Sequence, residues 1–281
     1  MNSSVTADHP GMDQKTVGLL SGQKMAFFDQ GLGPAIVILH GAPGSSLSLV
    51  PLARDLANED HRVITPDLLG FGASSFTEDI FELWADHQAE AVMQMLRSLQ
   101  IQNAILIGHD FGAFISLILQ QRAPDIVSKM VLVNCNPFTG TPPPFPLSIG
   151  TWPGVGELYL RYQLSTTGLR SLVNNSLGTN RSIVNYEELA GHKNQRTATQ
   201  KILRKMILGF GHKSARIEES LQHLTVPTQF IFGALDPMIP QTVHRQLAQT
   251  FAPDQIIVSK NSGHWIPYEN RAELIRITLE I

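Results

Sequence analysis

Residues 104–119 read AILIGHDFGAFISLIL. An apolar run enters a turn bounded by Gly108 and Gly112 and leaves it as a second apolar run, which predicts a strand, a tight elbow and a buried helix. Such an elbow, in the form G-x-S-x-G, lifts a nucleophilic serine above the edge of a sheet. Here the position belongs to Asp110. The reading of the chain turns on what a carboxylate does there and on whether other residues serve it.

On both sides of this stretch, short β-rich runs alternate with helical patterns, which predicts a mostly parallel sheet covered by helices on both faces. Eight strands are expected, in the runs VGLLS (from Val17), QKMAFFD (Gln23), AIVILHG (Ala35), RVITPD (Arg62), NAILIGHD (Asn103), SKMVLVN (Ser128), TQFIFGALD (Thr228) and QIIVSK (Gln255). The first two resemble an antiparallel ribbon. Helices are expected over Ser46–Asn58, Glu82–Gln100, Phe111–Arg122, Gln241–Thr250 and Glu269–Leu279. The second carries Leu83, Trp84, Ala91, Val92, Met95, Leu96 and Leu99 on one face, a stripe that packs on the sheet. From residue 136 to 225 the alternation stops: helices and loops follow the proline-rich TGTPPPFP and give way before VPTQFIF. A stretch of that length predicts a helical cap inserted into a core made of residues 1–135 and 226–281. Between Phe138 and Thr225, 10 Lys and Arg face 5 Asp and Glu, so the insert is positive within a chain of net charge −3. An anionic group on the substrate and ordinary solvated helix faces both account for that.

Composition excludes several functions. The small negative charge argues against nucleic acid as a partner. The N-terminal MNSSVTADHPGMDQKT has neither a basic nor an apolar region, and no run of the sequence is long and apolar enough for a membrane span, so a soluble, cytoplasmic protein is expected. Cys135 is the single cysteine, which excludes an internal disulfide and a cysteine-based metal site. GLGPA, GFGAS and GFGHK lack the third glycine of a dinucleotide fingerprint, and GAPGSS lacks the lysine of a phosphate loop, so neither cofactor nor metal is called for.

A nucleophile needs a base, a group to orient it and donors for an oxyanion. His264, in NSGHWIPYE, follows the last strand. Asp236 ends FIFGALD and precedes Pro237. The order Asp110, Asp236, His264 is that of nucleophile, acid and histidine on this type of sheet. The turn HGAPGSS (His40–Ser46) brings the Ala42 amide, and the helix start brings the Phe111 amide, as an oxyanion hole. Each residue also has a plainer role open to it: Asp110 as a helix N-cap, Asp236 as a turn former, His264 as a surface histidine.

Together HGAPGSS, DLLGFGASS (Asp67–Ser75), GHDFGA, GALD and SGH resemble the α/β-hydrolase fold, and within it the aspartate-nucleophile branch. The resemblance implies that Asp110 attacks an sp³ carbon to form an ester, and that water activated by His264 and Asp236 then hydrolyses it. Epoxide hydrolases and haloalkane dehalogenases share that chemistry, and both act on a small hydrophobic molecule. Dehalogenases typically carry a Trp after the nucleophile and often an Asn after the HG pair; here those positions are Phe111 and Ala42, which offer no side-chain N–H. Trp152 is a possible substitute donor or a packing residue. HGAP fits the H-G-x-P pattern of epoxide hydrolases, whose cap tyrosines protonate the opening ring. Tyr159 best matches such a tyrosine and Tyr162, three residues on, is the reserve. A second tyrosine late in the cap is missing, with His212 nearby and Tyr186 too early. His40, Pro43, Trp152, His212 and Trp265 are implied along the substrate side. A binding protein that keeps the fold without turnover is the remaining alternative, which retention of both Asp236 and His264 disfavours.

Overall fold

The computed structural model describes residues 13–76, 84–138, 145–163, 165–179, 215–252 and 255–280. His212, Leu83 and Tyr186 lie outside them. Eight strands, β1 (Lys15–Gly18), β2 (Lys24–Gln30), β3 (Ala35–Leu39), β4 (Arg62–Pro66), β5 (Ala104–His109), β6 (Val127–Val133), β7 (Thr228–Gly233) and β8 (Ile256–Ser259), form one sheet in the order β1-β2-β4-β3-β5-β6-β7-β8. β1 is antiparallel to β2 and β2 to β4, while every other pair is parallel. The opening ribbon is therefore as expected, although β1 starts and stops earlier than VGLLS suggests. A turn held by Leu19 N–H to Gln23 O (2.8 Å) and Gly22 N–H to Leu19 O (2.9 Å) takes up Leu19 and Leu20.

The central strands read as continuous apolar runs because both of their faces are covered. In β3, Ile36 and Ile38 pack on one side against Leu49, Leu52 and Leu56 of α1 (Ser46–Ala57). Val37 and Leu39 pack on the other side with α2 (Ala85–Ser98) and α3 (Phe111–Arg122). The expected stripe on α2 holds: Trp84, Ala91, Val92, Met95 and Leu96 are buried. Helix α3 is buried from Phe111 through Gln120, as a helix apolar all round must be.

Between β6 and β7 the described residues form a 3₁₀ turn (Leu147–Thr151), α4 (Val155–Gln163), α5 (Thr166–Ser176) and α6 (Ala215–Gln222). α6 puts Ile217 and Leu221 into the main core. After β7, α7 (Gln241–Leu247) ends three residues before the predicted Thr250. The last helix corrects the sequence reading further. It is two helices, α8 (Ile266–Glu269) and α9 (Arg271–Leu279), separated by Asn270 at φ −143°, ψ 57°, so Glu269 closes one helix instead of opening the other.

Candidate active site

The elbow after β5 is as tight as its glycines suggest. Asp110 has φ 50° and ψ −111°, a conformation that costs a non-glycine residue on the order of 1–3 kcal/mol. A Cβ on Gly112 would lie 2.2 Å from the Leu39 carbonyl oxygen, and one on Gly108 would lie 2.6 Å from Ser116 Oγ. The turn is thus pressed between β3 and α3 where only glycine fits. Asp110 precedes α3 but makes no side-chain cap bond to it. Instead its Oδ2 accepts the Ala42 N–H at 2.9 Å, and the Phe111 N–H also acts on the carboxylate. The two amides read from the sequence as an oxyanion hole therefore converge on Asp110.

The turn that carries Ala42 is held from behind. His40 is buried, its Nδ1 lies 2.7 Å from the Gly41 carbonyl and its Nε2 accepts the Leu68 N–H at 3.1 Å. With both ring nitrogens on backbone groups, His40 props the turn and does not face an incoming molecule. Asp67, also buried, accepts from the amides of Ser46 (2.7 Å) and Ala73 (2.8 Å) and from Gln14 Nε2 (2.8 Å), tying the same turn to DLLGFGASS. Pro43 is buried on the turn behind a cis peptide bond.

Across the site, His264 Nδ1 lies 2.8 Å from Asp236 Oδ2, and the histidine is 3% exposed, so it is no surface residue. Asp236 Oδ1 accepts the amides of Met238 (2.7 Å) and Ile239 (3.3 Å), so the same carboxylate shapes its turn and holds the imidazole. With an Nδ1–H donated to Asp236, Nε2 carries the lone pair a base needs. His109, just before Asp110, places its Nε2 2.8 Å from the His264 carbonyl, and its ring lies 5.2 Å from the His264 ring. Burial, with the charge of His264 next, pulls the pKa of His109 down to about 3, so it is a neutral donor.

Burial also pushes the Asp110 carboxyl above the usual carboxylate range, against the pull of His264 and the amides of Ala42 and Phe111. Burial alone would lower the pKa of His264, but the charge and hydrogen bond of Asp236, then the charges of Asp110 and Glu269, outweigh it and raise the value. The carboxylate and the imidazole therefore each sense the other's charge. Burial and the charge of Asp110 raise the pKa of the nearby Cys135 thiol, which stays protonated.

The insert residues stand differently. Tyr159 is half-buried on α4, and its phenol oxygen accepts from Gln163 Nε2 at 2.9 Å. Tyr162 is 53% exposed and Trp152 56% exposed. Trp265 is buried; its indole N–H donates to Ser176 Oγ at 2.8 Å, and its ring packs against His109 and His264. It therefore joins α5 to the histidine loop. Sequence reasoning missed His109, Asn134 and Glu269. His109 sits inside the quoted elbow, and the other two are marked only by the backbone groups they reach in distant parts of the chain.

An elbow with this strain, two converging amides and an Asp–His pair at the ends of β7 and β8 define the site of an α/β-hydrolase. Residues 34–271 match the alpha/beta hydrolase fold family, and the chain belongs to it. It is a hydrolase of that fold. It is 27% identical over 266 residues to a 2-hydroxymuconate semialdehyde hydrolase of Pseudomonas sp. (strain CF600), covering 90% of this chain and 88% of the relative. Over a shorter stretch of 113 residues, 40% of this chain and 33% of the relative, it is 32% identical to an epoxide hydrolase of Caballeronia sordidicola. Its fold superposes on the crystal structure of the epoxide hydrolase VrEH1 from Vigna radiata with a TM-score of 0.75 at 18% identity, covering 96% and 97% of the two chains.

Proposed function

We propose that this hydrolase opens an epoxide to a vicinal diol through an ester on Asp110, with residues 136–225 as the cap over the site. The observation that carries the reading is the carboxylate at the elbow, with Oδ2 already on the Ala42 amide. A serine there would need the histidine to take its proton before it attacked. A carboxylate needs no such help, so it attacks an alkyl carbon and leaves His264 for the second step.

In the first step an Asp110 oxygen bonds to an epoxide carbon, the C–O bond of the ring breaks, and the ring oxygen takes a proton from Tyr159, with Tyr162 as the reserve. The Tyr159 oxygen accepts from Gln163, which leaves its own hydrogen to donate. In the second step His264 takes a proton from water, and hydroxide adds to the ester carbonyl carbon. The amides of Ala42 and Phe111 hold the resulting oxyanion. Its collapse releases the diol, which takes the proton from His264, and the acid left on Asp110 loses the proton that restores the phenol. Phe111 and Ala42 provide no side-chain donor for a departing halide, which favours an epoxide over a haloalkane. Incubating the protein with aryl and alkyl epoxides and with haloalkanes, and assaying diol and free halide, tests the choice. Diol without halide is expected; halide release alone makes the protein a dehalogenase, and neither product removes the alkyl-ester reading.

A further inference from the structure

The peptide units from Gly263 to Trp265 have all their polar groups satisfied, and most of the partners come from outside the loop. The Gly263 carbonyl accepts from Asn134 Nδ2 (2.9 Å) at the end of β6, and the His264 carbonyl accepts from His109. The His264 N–H donates to the Ser176 carbonyl at the end of α5 (2.7 Å). The remaining N–H groups, those of Gly263 (3.1 and 3.2 Å) and Trp265 (3.0 Å), go to the carboxylate of Glu269, which also accepts the Gly178 N–H at 2.6 Å. Glu269 is 8% exposed, and both of its oxygens receive these amides. Nearby, the Thr179 N–H donates to the Asn261 carbonyl (2.9 Å), and a Cβ on Gly263 would lie 2.1 Å from the Ser176 oxygen. The segment that follows α5 is therefore stitched to the histidine loop at Ser176, Gly178 and Thr179, with one buried carboxylate at the centre of the seam.

We propose that Glu269 is a positioning residue for hydrolysis of the Asp110 ester: it clamps the residues on both sides of His264 and ties them to Gly178, so activation of water depends on how this end of the cap is seated. The inference rests on the reading of Asp110 and His264 given above. A buried carboxylate that accepts several amides forms strong, directional bonds, and losing it leaves those donors unpaired. Its charge also acts on the imidazole. The titratable groups facing His264 are Asp236 at the end of β7, Asp110 and His109 at the elbow, and Glu269 on α8, and Glu269 is among those that favour the protonated ring.

Glu269→Gln keeps the shape but sets an NH₂ against backbone donors and removes the charge. With styrene oxide as the probe, ester formation should stay within about twofold of wild type and ester hydrolysis should slow by about tenfold or more. NMR of the labelled His264 imidazole, which needs no substrate, should show it titrating at lower pH in the variant. Equal slowing of both steps, unchanged hydrolysis or an unchanged titration would overturn the proposal. Should styrene oxide form no ester even on the wild type, an epoxide or haloalkane of the panel that the wild type consumes takes its place; should none form an ester, the alkyl-ester reading falls by itself, and the titration still decides whether Glu269 acts on His264. Should the variant not fold, Ser176→Ala removes the hydroxyl that receives the Trp265 indole N–H and itself donates to the Leu172 and Val173 carbonyls of α5: slower hydrolysis with unchanged ester formation supports the seam, and unchanged hydrolysis overturns it.

Discussion

Around His264 each backbone polar group from Gly263 to Trp265 meets a partner, whereas α4 of the insert turns Val155, Leu158 and Tyr162 outward, 52%, 70% and 53% exposed. The two regions contribute to one proposed reaction on different physical terms. On the core side, strands, buried carboxylates and glycine contacts over-determine where Asp110, Asp236 and His264 stand. On α4, the hydrogen bond that Tyr159 makes among the described residues comes from Gln163, four residues along the same helix. The difference teaches that the residues proposed to make and break bonds are placed by the whole sheet, while the tyrosine proposed to protonate the leaving oxygen is tied within its own helix and is easier to change.

Substitutions sharpen that contrast, and the greatest losses belong to the core. Asp110→Asn should abolish diol release, a loss on the order of 10⁴-fold or more, while the thermal unfolding midpoint stays near that of wild type. Fresh protein checked by mass spectrometry for deamidation guards the comparison; full activity without deamidation would remove Asp110 as the nucleophile. Asp236→Asn should lower kcat by about 10³-fold. Because the base works unprotonated and Asp236 raises its pKa, wild-type hydrolysis should fail as pH drops below a value above the ordinary histidine range of about 6.5. In the variant that limb should move to lower pH. A pH–rate profile with an unmoved limb would separate Asp236 from the base.

Effects in the insert should be smaller and confined to the first step. Tyr159→Phe should slow ester formation by about 10²-fold and its hydrolysis much less, since the phenol protonates only the opening ring. Tyr162→Phe should change either step by less than about twofold, as its side chain is exposed. Stopped-flow and rapid-quench measurements of the two steps check both; a larger effect at Tyr162 would exchange their roles.

The same contrast governs what the sequence disclosed. The strands and the order Asp110, Asp236, His264 were legible because sheet burial imposes long apolar runs and the elbow imposes glycines at fixed offsets. His40 was read as facing the substrate, yet it holds Leu68, 28 residues away, and His109 holds a carbonyl 155 residues away. Periodicity carries no record of such pairings. Glu269 was read as the start of the last helix because the break at Asn270 carries no proline or glycine to mark it. The second cap acid was sought at His212 because the resemblance implies a tyrosine late in the cap, where GFGHKS offers only a histidine, and that position lies outside the described residues.

The central claim is a division of labour: the carboxylate attacks unaided and the histidine serves only water. His264→Gln tests it most directly. Intact-protein mass spectrometry after mixing with an epoxide should show one added substrate mass, located on the peptide containing Asp110, with a single turnover and no further diol. If no adduct forms on a substrate that the wild type consumes, His264 is needed before any bond to Asp110 is made, and the covalent account is contradicted.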